Sequence, residues 1–274
     1  MTSATTLKTN DSSAVPSGTE QSIRTMLQTQ SYNVSMIPTL EEYVMSMCRG
    51  TVPYMFQAVR TLVKLYTLFP YNPQGTTTTD ANSSNKKKIV DNMGLCSLLA
   101  LTYGSSSNNQ QDIIALRYMI PMTYIPKDNV SLLSQVLHCA TLFDNSLFPE
   151  FWSSYHSSFL PESTMKSGLP ITDLDIMIRN VASTAIPVLQ TSILMILSIT
   201  FQQAPTEIVY PALNITTETE WNEVKQRNPT IVVVENGTSN AALVHFVPTA
   251  FNTQRQRSYQ ESIHFANTIA DLRQ

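Results

Sequence analysis

The spacing of hydrophobic and polar residues predicts a chain built mainly of helices. Between residues 51 and 69, apolar side chains recur every three or four positions, as on one face of a helix. The apolar positions of this pattern are Val52, Met55, Phe56, Val59, Leu62, Val63, Tyr66 and Phe69. Pro53 falls in the expected first turn, where a missing N–H costs little, and Pro70 ends the pattern. The segment is therefore predicted to be an amphipathic helix.

Another helix is predicted immediately before this one. Thr39 and Glu42 have the spacing of a capping box, in which the two side chains satisfy backbone N–H groups of the first helical turn. Gly50 follows Arg49 and tolerates the positive φ that often ends a helix. Because the two patterns adjoin, we expect a helical hairpin.

Three further segments have helical patterns: residues 89–103, 129–143 and 146–160. Asp128 or Asn129 is expected to cap the second of them, and the third carries aromatic residues on one face. The segment 112–126 is compatible with either a short helix or an extended edge. The polar segments 70–88 and 104–111 are predicted to be exposed loops.

The most apolar stretch follows a capping pattern formed by Thr172 and Asp175. No charged residue occurs from 180 to 206, and residues 181–201 are long enough to span a bilayer. Pro187 and seven hydroxyl or amide residues favour a buried central helix instead. Those seven residues are Ser183, Thr184, Gln190, Thr191, Ser192, Ser198 and Thr200. A membrane-spanning or membrane-active segment stays open as the alternative.

Strand patterns are confined to the last quarter of the chain. Residues 207–210 form a short one, and 231–235 and 241–247 flank Asn236-Gly237, a dipeptide that favours the tight turn of a β-hairpin. The hairpin region has no charge after Glu235, so we expect it to be covered or paired rather than a free edge. The predicted interface residues are four hairpin residues and one nearby tryptophan: Val232, Val234, Val244, Phe246 and Trp221.

The predicted fold class is α+β, with a mainly α-helical body and a small β-hairpin or sheet near the C-terminus. Four parts are expected: a flexible N-terminal arm (1–20), a helical domain (21–205), a β-hairpin-containing segment (206–253), and a C-terminal helix that packs on the body (254–274). The arm has almost nothing to bury, so its composition predicts disorder in isolation. The last part begins with a capping box, Ser258-x-x-Glu261, and its apolar positions are Ile263, Ala266, Ile269 and Leu272.

Composition favours protein–protein contact over nucleic-acid binding. Ser, Thr, Asn and Gln supply 95 of the 274 residues, whereas only 14% are charged and 7 are Gly. Neutral polar groups cost less to desolvate than charged groups, and Lys, Glu and Asp are depleted at interface cores. A net charge of −3 argues against wrapping nucleic acid, which needs many Lys and Arg on one face. The basic run 86–88 is predicted to be a solvated loop tip.

No residue pattern indicates a reaction. The four histidines, His138, His156, His245 and His264, lack metal-ligand spacing with one another or with cysteine. The three cysteines lie in apolar patterns and are expected to be buried thiols: Cys48, Cys96 and Cys139. A nucleophilic Cys–His pair would need an exposed, activated thiolate. Phosphate-binding, nucleophile-elbow and zinc motifs are all missing from the sequence. We therefore expect no enzymatic activity, no metal and no cofactor.

In general character the chain resembles structural proteins of non-enveloped viruses. The features that carry this resemblance are the polar arm, the charge-poor composition, the Thr/Ser/Asn-rich loops, and the helical body with a late hairpin. In size and mild acidity it is similar to the small outer-layer and clamp proteins of segmented double-stranded RNA, reovirus-like viruses. Outer-layer proteins of that group commonly contain a β-jelly roll. Residues 112–170 lack eight strand patterns, so a clamp or cement role fits better.

The resemblance implies a viral structural protein that assembles into, or clamps, an icosahedral capsid shell. Its partners would be other capsid subunits, namely copies of itself and an inner-shell protein, in a homo-oligomer or hetero-assembly. It would be found in the virion and, during assembly, in the host cytoplasm. Two other functions stay open: a membrane-associated viral protein that uses residues 181–201, and a helical nucleoprotein-like RNA binder whose basic groove forms only on folding.

Overall fold

The computed structural model describes residues 17–30, 32–69, 79–104, 111–125, 131–160, 172–232 and 243–253. Ten α-helices occur in these ranges: α1 Ser17–Gln30, α2 Ile37–Cys48, α3 Phe56–Leu68, α4 Thr79–Tyr103, α5 Gln111–Met119, α6 Leu132–Asp144, α7 Phe148–Phe159, α8 Asp173–Thr200, α9 Thr206–Leu213 and α10 Glu218–Arg227. Strand β1 is Gln203–Pro205 and β2 is Leu243–His245. The predicted fold class, mainly α with a small sheet near the C-terminus, is confirmed.

The long helix α4 lies at the centre of the core and packs against α3, α5, α6 and α8. Its residues from Met93 to Leu101 are all buried, including Ser97, whose hydroxyl donates to the carbonyl oxygen of Met93 at 2.8 Å. Gly94 allows the close approach of α6, because a Cβ at this position would lie 2.8 Å from Cγ of Leu132. Glycine at this position therefore sets the spacing of the two helices.

The aromatic face of α7 joins the central helices to the later part of the chain. Its buried aromatic residues are Phe148, Phe151, Trp152, Tyr155 and Phe159. The indole N–H of Trp152 donates to the carbonyl oxygen of Ala212 in α9 at 2.9 Å. The Tyr155 hydroxyl donates to the carbonyl oxygen of Ala182 in α8 at 3.0 Å. These two buried bonds fix the mutual positions of α7, α8 and α9.

The predicted helical hairpin is present as α2 and α3, but its helix starts differ from the prediction. Helix α2 begins at Ile37, with Pro38 in its first turn and no side-chain capping bond at Met36, so Thr39 is not the cap. Gly50 follows the end of α2 with φ +72°, as the sequence indicated. Helix α3 begins at Phe56, which leaves Pro53 in the connection rather than in the first turn.

The structure corrects two other predicted boundaries and decides one assignment that the sequence leaves open. Residues 79–88, predicted as part of a loop, form the first turns of α4. The ambiguous segment 112–126 contains helix α5, followed by a 3-10 turn at Met122–Tyr124. Helix α6 is capped by Ser131, whose hydroxyl accepts from the backbone N–H of Ser134. Asp128 and Asn129 lie outside the described residues.

The late strands pair differently from the predicted hairpin. Residues 207–210 belong to helix α9, and strand β1 immediately precedes it. Strand β2 pairs antiparallel with β1, with Ala204 opposite Val244. Of the predicted partner strand 231–235, Val232 forms one antiparallel bridge, to Phe246. The segment 233–242, with the predicted turn, lies outside the described residues.

The helical part and the strand-containing part of the predicted division share one hydrophobic core. One buried hydrophobic cluster runs from Ile23 to Phe246, so the described parts of 21–205 and 206–253 pack together. Helix α1 begins at Ser17, inside the range assigned to the arm. Residues 1–16 and 254–274, with the rest of the arm and the C-terminal helix, lie outside the described residues.

Candidate interaction surface

Helix α8 has one buried side and one solvent-facing side along a length of about 42 Å, at 1.5 Å per residue. The predicted capping box at its start is confirmed. The Thr172 hydroxyl accepts from the backbone N–H of Asp175 at 3.2 Å, and the Asp175 carboxylate accepts from the backbone N–H of Thr172 at 3.1 Å. On the buried side, Val181, Ala185 and Leu189 pack into the core. The prediction of a core helix is therefore correct for one side of α8, whereas the other side faces solvent.

The opposite side of α8 carries a row of five residues spaced four apart, which we call the α8 ridge: Ser183, Pro187, Thr191, Met195 and Ile199. Thr191 is half-buried and the other four are exposed, with Met195 at 40% and Ile199 at 47%. Residues 180–206 carry no charge, so the row is neutral throughout. Residues spaced four apart form the ridges by which helices most often pack against one another.

The hydroxyl groups of the α8 ridge bond to the helix that carries them. The Ser183 hydroxyl donates to the carbonyl oxygen of Asn180 at 3.1 Å, and that of Thr191 donates to the carbonyl oxygen of Pro187 at 3.0 Å. A hydroxyl that already has a partner loses less when a second protein surface displaces its water. The ridge can therefore be covered without leaving these donors unpaired.

Buried polar contacts behind the ridge hold α8 in place. The Gln190 side-chain N–H donates to the carbonyl oxygen of Leu213 at 3.0 Å, and its carbonyl oxygen accepts from the Arg227 guanidinium at 3.1 Å. At the C-terminal end, the Asn252 side-chain N–H donates to the carbonyl oxygen of Ser198 at 2.8 Å. These contacts tie α8 to the segments that follow it and present the ridge on a fixed framework.

The predicted interface residues do not lie on this surface. Trp221, Val232, Val244 and Phe246 are each at most 5% exposed and belong to the core of the same chain. Val234 lies outside the described residues. An apolar hairpin pattern is compatible with burial within the chain or beneath a partner. The structure shows burial within the chain for Val232, Val244 and Phe246. Sequence reasoning missed the α8 ridge, although its four-residue spacing is visible in the sequence.

All three cysteines are buried free thiols, and three of the four histidines lie in the described residues. Burial raises the pKa of the Cys48 thiol to about 12 and that of Cys139 to about 11, and it raises the pKa of Cys96 as well. A thiol with a raised pKa is a poor nucleophile at neutral pH. The His156 ring lies 3.0 Å from the Asn214 amide nitrogen, and burial lowers its pKa. His138 is exposed, His245 is half-buried, and His264 lies outside the described residues.

A search for metal sites among the described residues finds no group of three His, Cys, Asp or Glu side chains that could hold an ion. Asp173 and Asp175 instead lie in the first turn of α8, where carboxylates interact favourably with the helix dipole. Glu220 accepts backbone N–H bonds from Thr216 and Thr217, and these bonds lower its pKa. These carboxylates therefore stabilise the N-terminal turns of α8 and α10.

No protein-family model matches the chain, and a search of curated proteins finds no significantly similar sequence.

Proposed function

We propose that this protein is a structural subunit of a viral protein shell, of the clamp or cement type, and that it binds neighbouring subunits through the α8 ridge. The observation that carries the proposal is a neutral, solvent-facing helix side about 24 Å long. Soluble proteins normally place charged residues on the outer side of a surface helix. A side without charge is better suited to contact with another apolar or hydroxyl-bearing surface.

The ridge fits a second copy of the chain. When rows of residues spaced four apart on two helices interdigitate, the helices cross at about −50°. Two α8 ridges can pack in this way around a twofold axis, so that each buries the same residues of its partner. Because neither ridge is charged, this packing brings no like charges together.

Size limits what the ridge alone can contribute. A helix side about 24 Å long and about 10 Å wide offers about 240 Å², whereas a stable interface buries about 800 Å² on each partner. Contacts outside the ridge must supply the rest. A shell subunit meets this condition, since it makes several modest contacts with different neighbours, including an inner-shell protein.

The viral assignment is supported by general character. The low charge, the abundance of hydroxyl and amide residues and the mainly helical fold fit a small clamp protein of a segmented double-stranded RNA virus. We propose on the same basis that it works without enzymatic activity and is found in the virion, with assembly in the host cytoplasm.

A membrane role is the second candidate, because α8 has the length and composition of a membrane span, with a mean hydropathy of 1.7 in its most apolar window. Half of that window is buried inside the protein, however. To enter a bilayer, α8 would have to break the bonds that Tyr155 and Gln190 make to and from it. The core contacts of α8 therefore favour the shell subunit.

Sedimentation of the purified full chain over a range of concentrations, with electron microscopy of the sedimenting species, tests the proposal. We expect concentration-dependent oligomers or regular particles, and no binding to liposomes of neutral or anionic lipid in a flotation assay. A chain that floats with liposomes and resists a carbonate wash would establish the membrane role instead. A chain that stays monomeric at every concentration would contradict self-assembly.

A further inference from the structure

A groove lies beside the C-terminal half of α8. Its apolar lining comes from Ile114 and Tyr118 of α5, Phe143 of α6 and Ile196 of α8. Its volume is about 590 Å³, which is within the range of sites that bind ligands or inserted side chains. Tyr118 is 87% exposed and Ile114 is 37% exposed, so the described residues leave much of this lining open to water.

The charged residues at the groove are already paired. The Arg117 guanidinium lies 3.9 Å from the Asp144 carboxylate, and both side chains are partly exposed. A charged ligand would have to displace one member of this pair, whereas an apolar segment can cover the lining and leave the pair in water. The groove therefore suits an apolar occupant.

The described chain ends at the C-terminal end of α8, the helix that borders the groove through Ile196. Asn252 is bonded to the carbonyl oxygens of Ser198 and Phe201, at 2.8 and 3.4 Å, and Ser198 is two residues beyond Ile196 on α8. After Thr253 the chain continues for 21 residues, 254–274. Five extended residues span up to about 17 Å, which exceeds the helix diameter of about 10 Å, so the chain before Ser258 is long enough to pass around α8 from its Ser198 side to its Ile196 side.

The sequence of residues 254–274 has the chemistry of such an occupant. On a helix of 3.6 residues per turn, one side would carry the apolar residues Ile263, Phe265, Ala266, Ile269 and Leu272. The other side would carry polar residues, among them His264, Thr268 and Asp271. An amphipathic helix of this kind binds by laying its apolar side in a groove.

We propose that residues 254–274 bind the groove between α5, α6 and α8 of the same chain, with the apolar side of the segment against Ile114, Tyr118 and Ile196. The segment acts as a strap that covers apolar surface beside the α8 ridge. The inference does not depend on the proposed function, since it concerns a contact within one chain.

Hydrogen–deuterium exchange of the full chain, followed by mass spectrometry, tests the strap with two matched pairs of variants. Phe265→Asp alters the apolar side of the segment and Thr268→Asp its polar side. Tyr118→Asp alters the groove, and Met122→Asp alters an equally exposed residue, 84%, outside the lining. If the bound state is favoured about tenfold, we expect amides of α5 to exchange about tenfold faster in Phe265→Asp and Tyr118→Asp than in their controls.

Amides of α4 serve as the internal reference, because general destabilisation would accelerate their exchange too. Equal α5 exchange in Phe265→Asp and Thr268→Asp would overturn the proposal. Repetition at several dilutions decides which chain supplies the strap. Protection that is independent of concentration supports binding within one chain, and protection lost on dilution would overturn it in favour of a second copy.

Discussion

The buried hydroxyl of Tyr155 donates a hydrogen bond to the backbone carbonyl oxygen of Ala182 at 3.0 Å and thereby joins α7 to α8. Tyr43 is also buried, at 3% exposure, yet its hydroxyl has no hydrogen-bond partner among the described residues. The two tyrosines thus offer the same group in opposite situations, one satisfied and one unsatisfied. Substituting each tyrosine therefore isolates the contribution of the hydrogen bond between α7 and α8 to the free energy of unfolding.

We predict that Tyr155→Phe lowers the free energy of unfolding by about 1 kcal/mol, because a satisfied buried hydrogen bond is lost. Tyr43→Phe is the matched control and should leave stability unchanged or raise it, because a buried unpaired hydroxyl is removed. Urea denaturation of both variants and the wild type measures the difference. Equal destabilisation by the two substitutions would show that the bond to Ala182 contributes nothing.

We predict that Gly94→Ala lowers the free energy of unfolding by up to about 2 kcal/mol, because the usual cost of overpacking, about 1–3 kcal/mol, is partly offset by the gain in helix propensity. The added Cβ would meet Leu132 at 2.8 Å and the backbone nitrogen of Leu133 at 3.0 Å, and this cost exceeds the gain in helix propensity of about 1 kcal/mol. The Leu132→Ala background provides the control. Part of the clash disappears there, so Gly94→Ala should cost less than it does in the wild type, and an equal or larger cost would contradict the account of the α4–α6 contact.

Asp112 provides a prediction for pH. Burial raises the pKa of this carboxyl group, although the Tyr54 hydroxyl donates to it at 3.1 Å and opposes the rise. A raised pKa in the folded state means that the charged form is disfavoured there, so stability is lost as the pH rises through the folded-state pKa.

We therefore expect Asp112→Asn to raise stability at neutral pH relative to the wild type, with a difference that shrinks as the pH falls from the raised folded-state pKa towards the ordinary aspartate pKa of about 4. The same substitution at exposed Asp173 is the control and should give no gain at neutral pH. Thermal melts between acidic and neutral pH measure both. A gain from Asp112→Asn that is the same at every pH would contradict the stated cause.

Periodicity predicted the parts of the fold in which local pattern and burial agree. Helix α3 is the best case, because the apolar positions Val59, Leu62 and Val63 are all fully buried. The start of α4 was missed because its polar residues gave no apolar stripe. Tertiary contact supports that region, and the Lys88 ammonium lies 2.7 Å from the Glu41 carboxylate of α2. Such a pair cannot be inferred from spacing along the chain.

Residues 207–210, which the sequence predicts to be a short strand, belong to helix α9, although Ile208 and Val209 are β-branched residues that favour strands. In the structure Val209 is buried in the core, and the Trp152 indole bonds to Ala212 at the end of the same helix. These long-range contacts outweigh local preference. The interaction surface was missed for a related reason: a charge-free run indicates that a helix is covered, but not whether its own chain or a partner covers each side.

The most direct test of the proposed assembly compares Ser183→Glu with Ser153→Glu. Both serines are exposed on helices, Ser183 on the α8 ridge and Ser153 on α7. In a twofold α8 contact, Ser183→Glu places an unpaired charge on each partner. A charge that loses its water without gaining a partner costs several kcal/mol, and a cost of about 3 kcal/mol weakens association roughly 100-fold.

Sedimentation velocity of the wild type and both variants, with melting curves to show that each is folded, is the deciding measurement. The account predicts that the wild type and Ser153→Glu self-associate alike, whereas Ser183→Glu shifts towards the monomer. Self-association of folded Ser183→Glu at wild-type strength would contradict the central claim that the α8 ridge is the contact between subunits.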